Sequence, residues 1–336
     1  MTTAAQAIRI DRTGGPEVLQ LHDTTVDAPA DDEVLVQQQA CGVNYIDIYY
    51  RIGLYPMALP GGCGVEAAGV IVQVGAAAGK LKPGMRVAYV GAIPGAYATH
   101  RIVKADRVVP LPGWLDSPTA AAVLLQGLTA HYLLHSTYPV QAGTAILLHA
   151  AAGGVGSLLG QWAAHKGATV IGVVGNAAKI DHARKNGCAH VIDGSREDFA
   201  ARVRDLTGGK GVDVVYDSVG QSSWTGSLQS LKPRGIMVSF GQASGPVPAL
   251  QVGQLGTLGS LFLTRPSLFH YIPTQHELLQ RATQLFLAFK SGAVKTPTIS
   301  GFALRDAAAE VPIRVPVPSG GGAVAGAVGV DAPVAL

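Results

Sequence analysis

The run Ala150-Ala151-Ala152-Gly153-Gly154-Val155-Gly156 constrains this chain more than any other segment. It follows the apolar stretch Thr144-Ala145-Ile146-Leu147-Leu148-His149 and opens a helix-forming segment at residues 157–166. Strand, glycine turn and helix in that order are the context in which such a turn can hold a dinucleotide diphosphate. Ala151, Gly153 and Gly156 fall on the three positions of the G-x-G-x-x-G spacing, the first as alanine. A side chain beyond a methyl at Gly153 would hold the backbone off a pyrophosphate, and bulk at Gly156 would push the helix off the strand. The helix N-terminus would then offer free N–H groups and a positive dipole end to the phosphates. The bland alternative is an ordinary glycine-rich turn, and the pattern that follows argues against it.

That pattern is alternation. Residues 168–174 read as a second strand, 190–192 as a third, 212–216 as a fourth and 235–241 as a fifth, the last preceded by the turn Pro233-Arg234-Gly235. Helical segments lie between them at 195–207, with Ser195 as the expected cap, and at 224–231. Strands alternating with helices predict βαβ units, hence a doubly wound parallel sheet of α/β class. Right-handed crossovers set the glycine turn and the strand ends along one edge, where ligands bind.

The residues after the second strand bear on which dinucleotide is held. An NAD site uses an acid about 20 residues past the glycines to accept the ribose 2′-hydroxyl. Here the chain reads Gly175-Asn176-Ala177-Ala178-Lys179. No carboxylate stands there to repel a 2′-phosphate, and Lys179 would attract one, so NADPH is expected over NADH. Lys179 alone could be a solvated helix-face lysine; the missing acid carries more of the inference.

At 336 residues, 48% of them apolar, the chain is long enough for two domains. A net charge of +3 with no basic block does not suggest nucleic acid. Cys41, Cys63 and Cys188 lack paired spacing. With no signal-type N-terminus and no apolar run of about 18 residues, a cytoplasmic protein is expected. Residues 1–125 differ from the middle: short strand-like runs at 33–37, 69–74 and 86–90 lie between glycine and proline turns, which predicts a β-rich domain. Residues 117–135 should carry the chain into the nucleotide domain as a helix, and residues 275–290 read as another helix.

Several ordered blocks resemble one family. They are Gly14-Gly15-Pro16-Glu17-Val18-Leu19, Gly42-Val43-Asn44-Tyr45-Ile46-Asp47, Gly53-Leu54-Tyr55-Pro56, Gly64-Val65-Glu66-Ala67-Ala68-Gly69 and Gly127-Leu128-Thr129-Ala130. Beyond the glycine turn come Tyr216-Asp217-Ser218-Val219-Gly220, Val238-Ser239-Phe240-Gly241 and Leu263-Thr264-Arg265-Pro266-Ser267-Leu268. Together they resemble the zeta-crystallin-like quinone oxidoreductases of the zinc-free medium-chain dehydrogenase/reductase superfamily. The resemblance implies a GroES-like β-rich catalytic domain at 1–125, a Rossmann NADPH-binding domain at 126–265 and a return to the catalytic domain at 266–336. The active site would lie in the cleft between the two.

The resemblance implies catalytic roles for Asn44, Tyr49 and Tyr55. Asn44 would donate to an acceptor carbonyl or set the nicotinamide ribose, and Tyr55 would cap a quinone pocket. It implies cofactor contacts at Asn44, Thr129, Ala152, Gly153, Gly154, Val155, Gly175, Asn176, Lys179, Ser218, Val219, Phe240, Gly241 and Thr264. Tyr45 and Tyr50 are expected as core aromatics, and Asp47 and Arg51 as a structural pair. Zinc-dependent relatives place a thiolate where Asn44 stands and an imidazole where Val65 stands; asparagine is a poor zinc ligand and valine is none, so no metal is expected. Cys41 and Cys63 are expected as buried small residues rather than replacement ligands.

The implied activity is NADPH-dependent reduction of a quinone by hydride or single-electron transfer. An alkenal or enone double-bond reductase is a second reading on the same fold. A non-catalytic NADPH-binding protein, crystallin-like or RNA-binding, is a third. A homodimer paired through the strand near residues 260–263 is expected. Two departures stand out. Relatives often carry tyrosine where Asp193-Gly194 stands, beside the adenosine phosphate. Relatives also end in an amphipathic helix and a last strand, whereas this chain has Pro312, Pro316 and Pro318 followed by Gly320-Gly321-Gly322, as in a replaced tail or another reading frame. A helix begun near Asp306 should therefore stop near Val311, and the family's terminal helix and strand are not expected after it; from Ala323 on, alternating Ala and Val could still extend along a sheet edge, with no polar pattern to set a register.

Overall fold

A computed structural model describes residues 2–310 and 326–329. Six parallel strands form one sheet in the order His190–Asp193, Thr169–Val174, Ala145–Leu148, Val212–Asp217, Leu231–Ser239, Phe262–Thr264. Counted along the chain this is 3-2-1-4-5-6, the dinucleotide-binding order, and its direction reverses between Ala145–Leu148 and Val212–Asp217. The loops leaving those two strands are the glycine turn and Ser218-Val219-Gly220. The topology therefore sets these two loops at the switch point, the position at which sheets of this order bind ligands.

The second large sheet is built on the long strand Glu33–Val43. Glu66–Val74 pairs with it on one side, followed by Arg86–Val90 and Val108–Pro110; on the other side His100–Lys104 covers its first half. Gly326–Gly329 covers the second half, antiparallel from Val43 to Ala40, and Ser300–Ala303 runs parallel outside it. The chain thus returns to its first sheet. This corrects the expectation that the family's terminal strand is missing, and it agrees with the reading that the Ala/Val stretch after Ala323 can extend along a sheet edge. The Ala40–Val43 edge has unpaired backbone groups that any strand can satisfy, so pairing here needs no polar pattern to set it. The expectation of a missing terminal helix concerns residues 312–325, which lie outside the described residues. A short third sheet joins Gln20–Val26, Thr3–Ile10 and Gly61–Gly62.

The helix Ser117–Tyr132 ties the halves together, with Asp116 capping it through the Thr119 N–H at 2.7 Å. Ala120, Ala121 and Ala122 are buried, and these small side chains let it lie close to Glu33–Val43 and Glu66–Val74 on one side and to the glycine-turn helix Gly154–His165 on the other. Gln275–Lys290 packs against it as well, through Leu278, Ala282 and Leu285. One expected cap moves. The helix predicted from Ser195 runs Phe199–Leu206, and Asp198 caps it by accepting from the Ala200 and Ala201 N–H groups at 2.9 and 3.2 Å. Ser195 instead donates its hydroxyl to Asp193 at 2.6 Å. A carboxylate accepts more strongly than a hydroxyl, and Asp193 had already engaged Ser195.

Candidate functional site

The glycine turn begins with strain. Ala150 has φ of +49°, in the left-handed region that side chains disfavour. That reversal brings Gly153 to the cap of the Gly154–His165 helix with no side chain filling it. The first amides of the helix are left for a ligand. A Cβ on Gly156 would drive into the Ala150 carbonyl oxygen, so the glycine keeps helix and strand in contact. Ala152, Gly153, Gly154 and Val155 are half-buried along this turn.

Past the second strand, Gly175 is exposed, and a Cβ there would meet only open space. Asn176 Oδ1 is buried and has no hydrogen-bond partner among the described residues. Lys179 is half-buried, burial depresses its pKa, and its ammonium makes no ion pair or hydrogen bond among the described residues. A lysine losing water without gaining a carboxylate is disposed to take an anion. The cradle fits a dinucleotide with a 2′-phosphate: open helix amides for the diphosphate, a lone cation beyond. Gly194 lies close below, where a Cβ would press on Val173 Cγ1 at 2.9 Å.

The loops on the other side of the crevice are held by Asp217, fully buried at the end of its strand. Its Oδ1 accepts from the Val219 and Gly220 N–H groups at 2.7 and 3.1 Å. Its Oδ2 accepts from the hydroxyls of Ser223 and Ser227 at 2.7 and 2.9 Å, and Ser227 reaches His149 Nε2 at 2.9 Å. The buried His149 immediately precedes the strained Ala150, and desolvation lowers its pKa. Ser218 and Val219 are thereby fixed relative to the glycine turn. Phe240 and Gly241 follow the next strand, with the Phe240 N–H on the Asp217 carbonyl at 2.8 Å. Thr129 is buried in the connecting helix, and Thr264 is half-buried at the end of the edge strand.

The catalytic-domain face is built around the helix Tyr45–Arg51. Asn44 caps it, and its backbone N–H donates to Asp47 Oδ2 at 2.9 Å. The Asn44 side chain is buried and engaged: Nδ2 donates to Glu66 Oε1 at 2.5 Å, and Oδ1 accepts from Gln126 Nε2 at 3.4 Å. Glu66 Oε2 accepts the Leu125 N–H at 2.7 Å. In this arrangement Asn44 spends its donor on Glu66 rather than on a substrate carbonyl. Burial pushes the Glu66 carboxyl up to about 8, with the Asn44 and Leu125 hydrogen bonds opposing it. Asp47 rises to about 7, again by desolvation, opposed by its hydrogen bonds from the Asn44 N–H and the Tyr97 hydroxyl at 2.9 Å and by the charge of Arg51.

Four tyrosines form a cluster on this face. Tyr49 lies 5.4 Å from Tyr45 and 5.1 Å from Tyr55, ring centre to ring centre, and Tyr50 lies 5.7 Å from Tyr55. Tyr45 and Tyr50 are half-buried, which corrects their expected core placement: they pack edge-on against the other two rings. The Tyr49 hydroxyl accepts the Gln242 N–H at 2.9 Å, and burial raises its pKa. The Tyr55 hydroxyl accepts from Arg265 Nη2 at 3.1 Å, while Arg265 Nη1 donates to the Ser239 carbonyl at 2.8 Å. Tyr49 and Tyr55 therefore meet loops of the parallel-sheet half. Sequence reasoning assigned no role to Glu66, Gln126 or Arg265; a carboxylate inside the apolar strand Glu66–Val74 was the available signal for the first.

Cys41, Cys63 and Cys188 are all buried free thiols, and burial pushes Cys41 and Cys188 up to about 12. Among the described residues, no group of three or more His, Cys, Asp or Glu side chains could hold a metal ion, and no helix is long and apolar enough to cross a membrane.

Residues 30–113 match the family model of the alcohol dehydrogenase GroES-like domain, and residues 154–287 match that of the zinc-binding dehydrogenases. A quinone oxidoreductase of Salmonella typhimurium is 46% identical over 306 residues, covering 90% of this chain and 94% of that protein. The crystal structure of Escherichia coli quinone oxidoreductase complexed with NADPH matches with a TM-score of 0.89 at 44% identity, covering 91% of this chain and 95% of that one. A 2-haloacrylate reductase of a Burkholderia species is 41% identical over 307 residues, 89% of this chain and 92% of that protein.

Proposed function

The chain belongs to the quinone oxidoreductase family of the zinc-free medium-chain dehydrogenase/reductases, and on that premise we propose that it is an NADPH-dependent quinone reductase. What supports this most is the pairing of an anion-ready cofactor cradle with a tyrosine cluster bonded to the cradle's own loops. When bound, the nicotinamide supplies the hydride or electron, and the protein supplies placement and exclusion of water.

The glycine turn, Ala152 to Val155, takes the diphosphate. Gly175, Asn176 and Lys179 take the adenosine end, with Lys179 on the 2′-phosphate. Thr129, Ser218, Val219, Phe240, Gly241 and Thr264 border the nicotinamide end, with Asn44 reaching it from the catalytic face. Tyr49 and Tyr55 line the quinone site. Burial keeps the Tyr49 phenol protonated, so it orients an acceptor oxygen by hydrogen bonding. A quinone is already electrophilic, and the Asn44 and Val65 positions offer no zinc ligand, so the reaction proceeds without metal.

We divide the chain near residues 125 and 265, at either end of the nucleotide domain. A homodimer forms through the edge strand Phe262–Thr264, where Phe262 is 60% and Leu263 36% exposed. Phe262→Lys should yield monomer by sedimentation at micromolar concentration; wild-type monomer would refute the dimer. The cytoplasm suits three free thiols. Substrate class is tested by turnover: a simple quinone should be reduced far faster than an α,β-unsaturated ketone. The reverse order would favour double-bond reduction, the activity suggested by the 2-haloacrylate reductase relative.

A further inference from the structure

Gln126 lies in the connecting helix, 7% exposed, with its amide packed flat on Gly154, the first residue of the glycine-turn helix. The contact is so close that a Cβ on Gly154 would collide with the amide. Its orientation is set by a chain of donors and acceptors. Glu66 accepts at both oxygens, one from Asn44 Nδ2 and one from the Leu125 N–H. Asn44 Oδ1 is then the acceptor facing Gln126, which presents Nε2 to it. The Gln126 oxygen is left over, buried and without a partner among the described residues. A buried acceptor without a donor is destabilising and uncommon. This one sits at the cofactor turn, on the side of the catalytic face.

Resting on the cofactor reading above, we propose that the Gln126 amide oxygen is a binding group for the nicotinamide half of NADPH, accepting a hydroxyl of the ribose next to the nicotinamide. Lys179 and Asn176 mark the adenosine end, and the helix amides take the diphosphate. Continuing from the diphosphate toward Asn44, the next donor-bearing group of the cofactor is the second ribose. Gln126 is in contact with both the turn and Asn44, so it stands where that sugar must pass. Its own donor holds Asn44 in place, which makes it a binding group and a positioning residue at once.

The test is calorimetric titration of the ligand-free enzyme with NADPH and with 2′,5′-ADP, which carries the adenosine end but no nicotinamide ribose. Gln126→Met keeps length and bulk while removing the acceptor together with the donor to Asn44. It should weaken NADPH about tenfold, the worth of one well-made hydrogen bond to a buried acceptor. Binding of 2′,5′-ADP should be unchanged, which also reports an intact turn. The ligand-free melting temperature should change little, since the substitution removes an unsatisfied oxygen but also the long 3.4 Å hydrogen bond to Asn44. Equal weakening of both ligands with a lower melting temperature would make Gln126 a packing residue and overturn the proposal. Unchanged NADPH affinity would overturn it too. If Gln126→Met does not fold, Gln126→Asn withdraws the oxygen by one methylene and should give the same selective loss; equal or absent losses there would likewise overturn it. Wild-type enzyme that bound neither ligand would overturn the cofactor reading, and this proposal with it; wild-type binding of both, without selective loss in the variant, would overturn this proposal alone.

Discussion

The two ends of the crevice are made in different ways. At the proposed adenosine and diphosphate end the groups are short-range in sequence and, among the described residues, left open: amides at a helix start, an unpartnered Asn176 oxygen, a lysine without a carboxylate. At the catalytic face the groups are far apart in sequence and already engaged: Asn44 with Glu66, Tyr49 with Gln242, Tyr55 with Arg265. The first is a backbone cradle completed by its ligand. The second is a side-chain assembly completed by the other half of the protein. A dinucleotide has fixed charges that a simple cradle can meet, whereas an acceptor of variable shape needs a wall that is rigid without a ligand.

If the cradle depends on close backbone approach, one methyl at the wrong place should destroy it. Gly156→Ala sets a Cβ against the Ala150 carbonyl. NADPH binding should fall beyond detection, and overpacking should cost about 1–3 kcal/mol of stability by denaturant titration. Intact NADPH affinity would show that the turn is not the cofactor site.

The engaged face should respond differently. Tyr49→Phe strands the Gln242 N–H and should cost about 1–2 kcal/mol of stability. It should also lower kcat/KM for quinone while leaving the NADPH dissociation constant nearly unchanged. A loss confined to NADPH binding would erase the contrast between the two ends. Lys179→Ala, at the open end, should weaken NADPH about tenfold and leave NADH alone, since one charge-assisted contact is removed. Equal losses for both cofactors would return Lys179 to the role of a solvated lysine.

The smallest effect concerns pH. Glu66 holds its proton up to about 8 when folded, against an ordinary value of 4.5. Between those limits the folded chain binds more protons than the unfolded one, so stability falls as pH rises. The contribution of Glu66 is complete below pH 4.5 and is lost on passing through about 8. Asp47, raised to about 7, acts in the same direction. Glu66→Gln should flatten the decline of melting temperature between neutral and mildly alkaline pH. An unchanged profile would mean that Glu66 is ionised throughout.

The same contrast explains what could be read from residues alone. The glycine turn, the alternating strands and the absence of an acid after the second strand are local patterns; the 3-2-1-4-5-6 order was not legible in them, since right-handed crossovers allow other doubly wound orders as well. Asn44, Tyr49 and Tyr55 came from resemblance to a family, not from periodicity. Their partners were not legible: Asn44 meets Glu66 across 22 positions and Gln126 across 82, and Tyr55 meets Arg265 across 210. No local rule links residues at such separations. The cap at Asp198 was missed because Ser195 fits the same rule, and only the contact with Asp193 separates them. The strand Gly326–Gly329 was legible only as an Ala/Val stretch able to extend along a sheet edge; its register against Ala40–Val43 was not, because backbone pairing asks little of side chains.

The account stands most directly on a single mixing experiment. Enzyme loaded with NADPH is mixed anaerobically with a simple quinone, and the loss of nicotinamide absorbance is followed beside the appearance of hydroquinone, with NADH and a no-quinone control run alongside. The expected result is rapid, quinone-dependent oxidation of NADPH, mole for mole with hydroquinone, and much slower oxidation of NADH at the same concentration. NADPH that binds but is not oxidised when quinone is added would contradict the account.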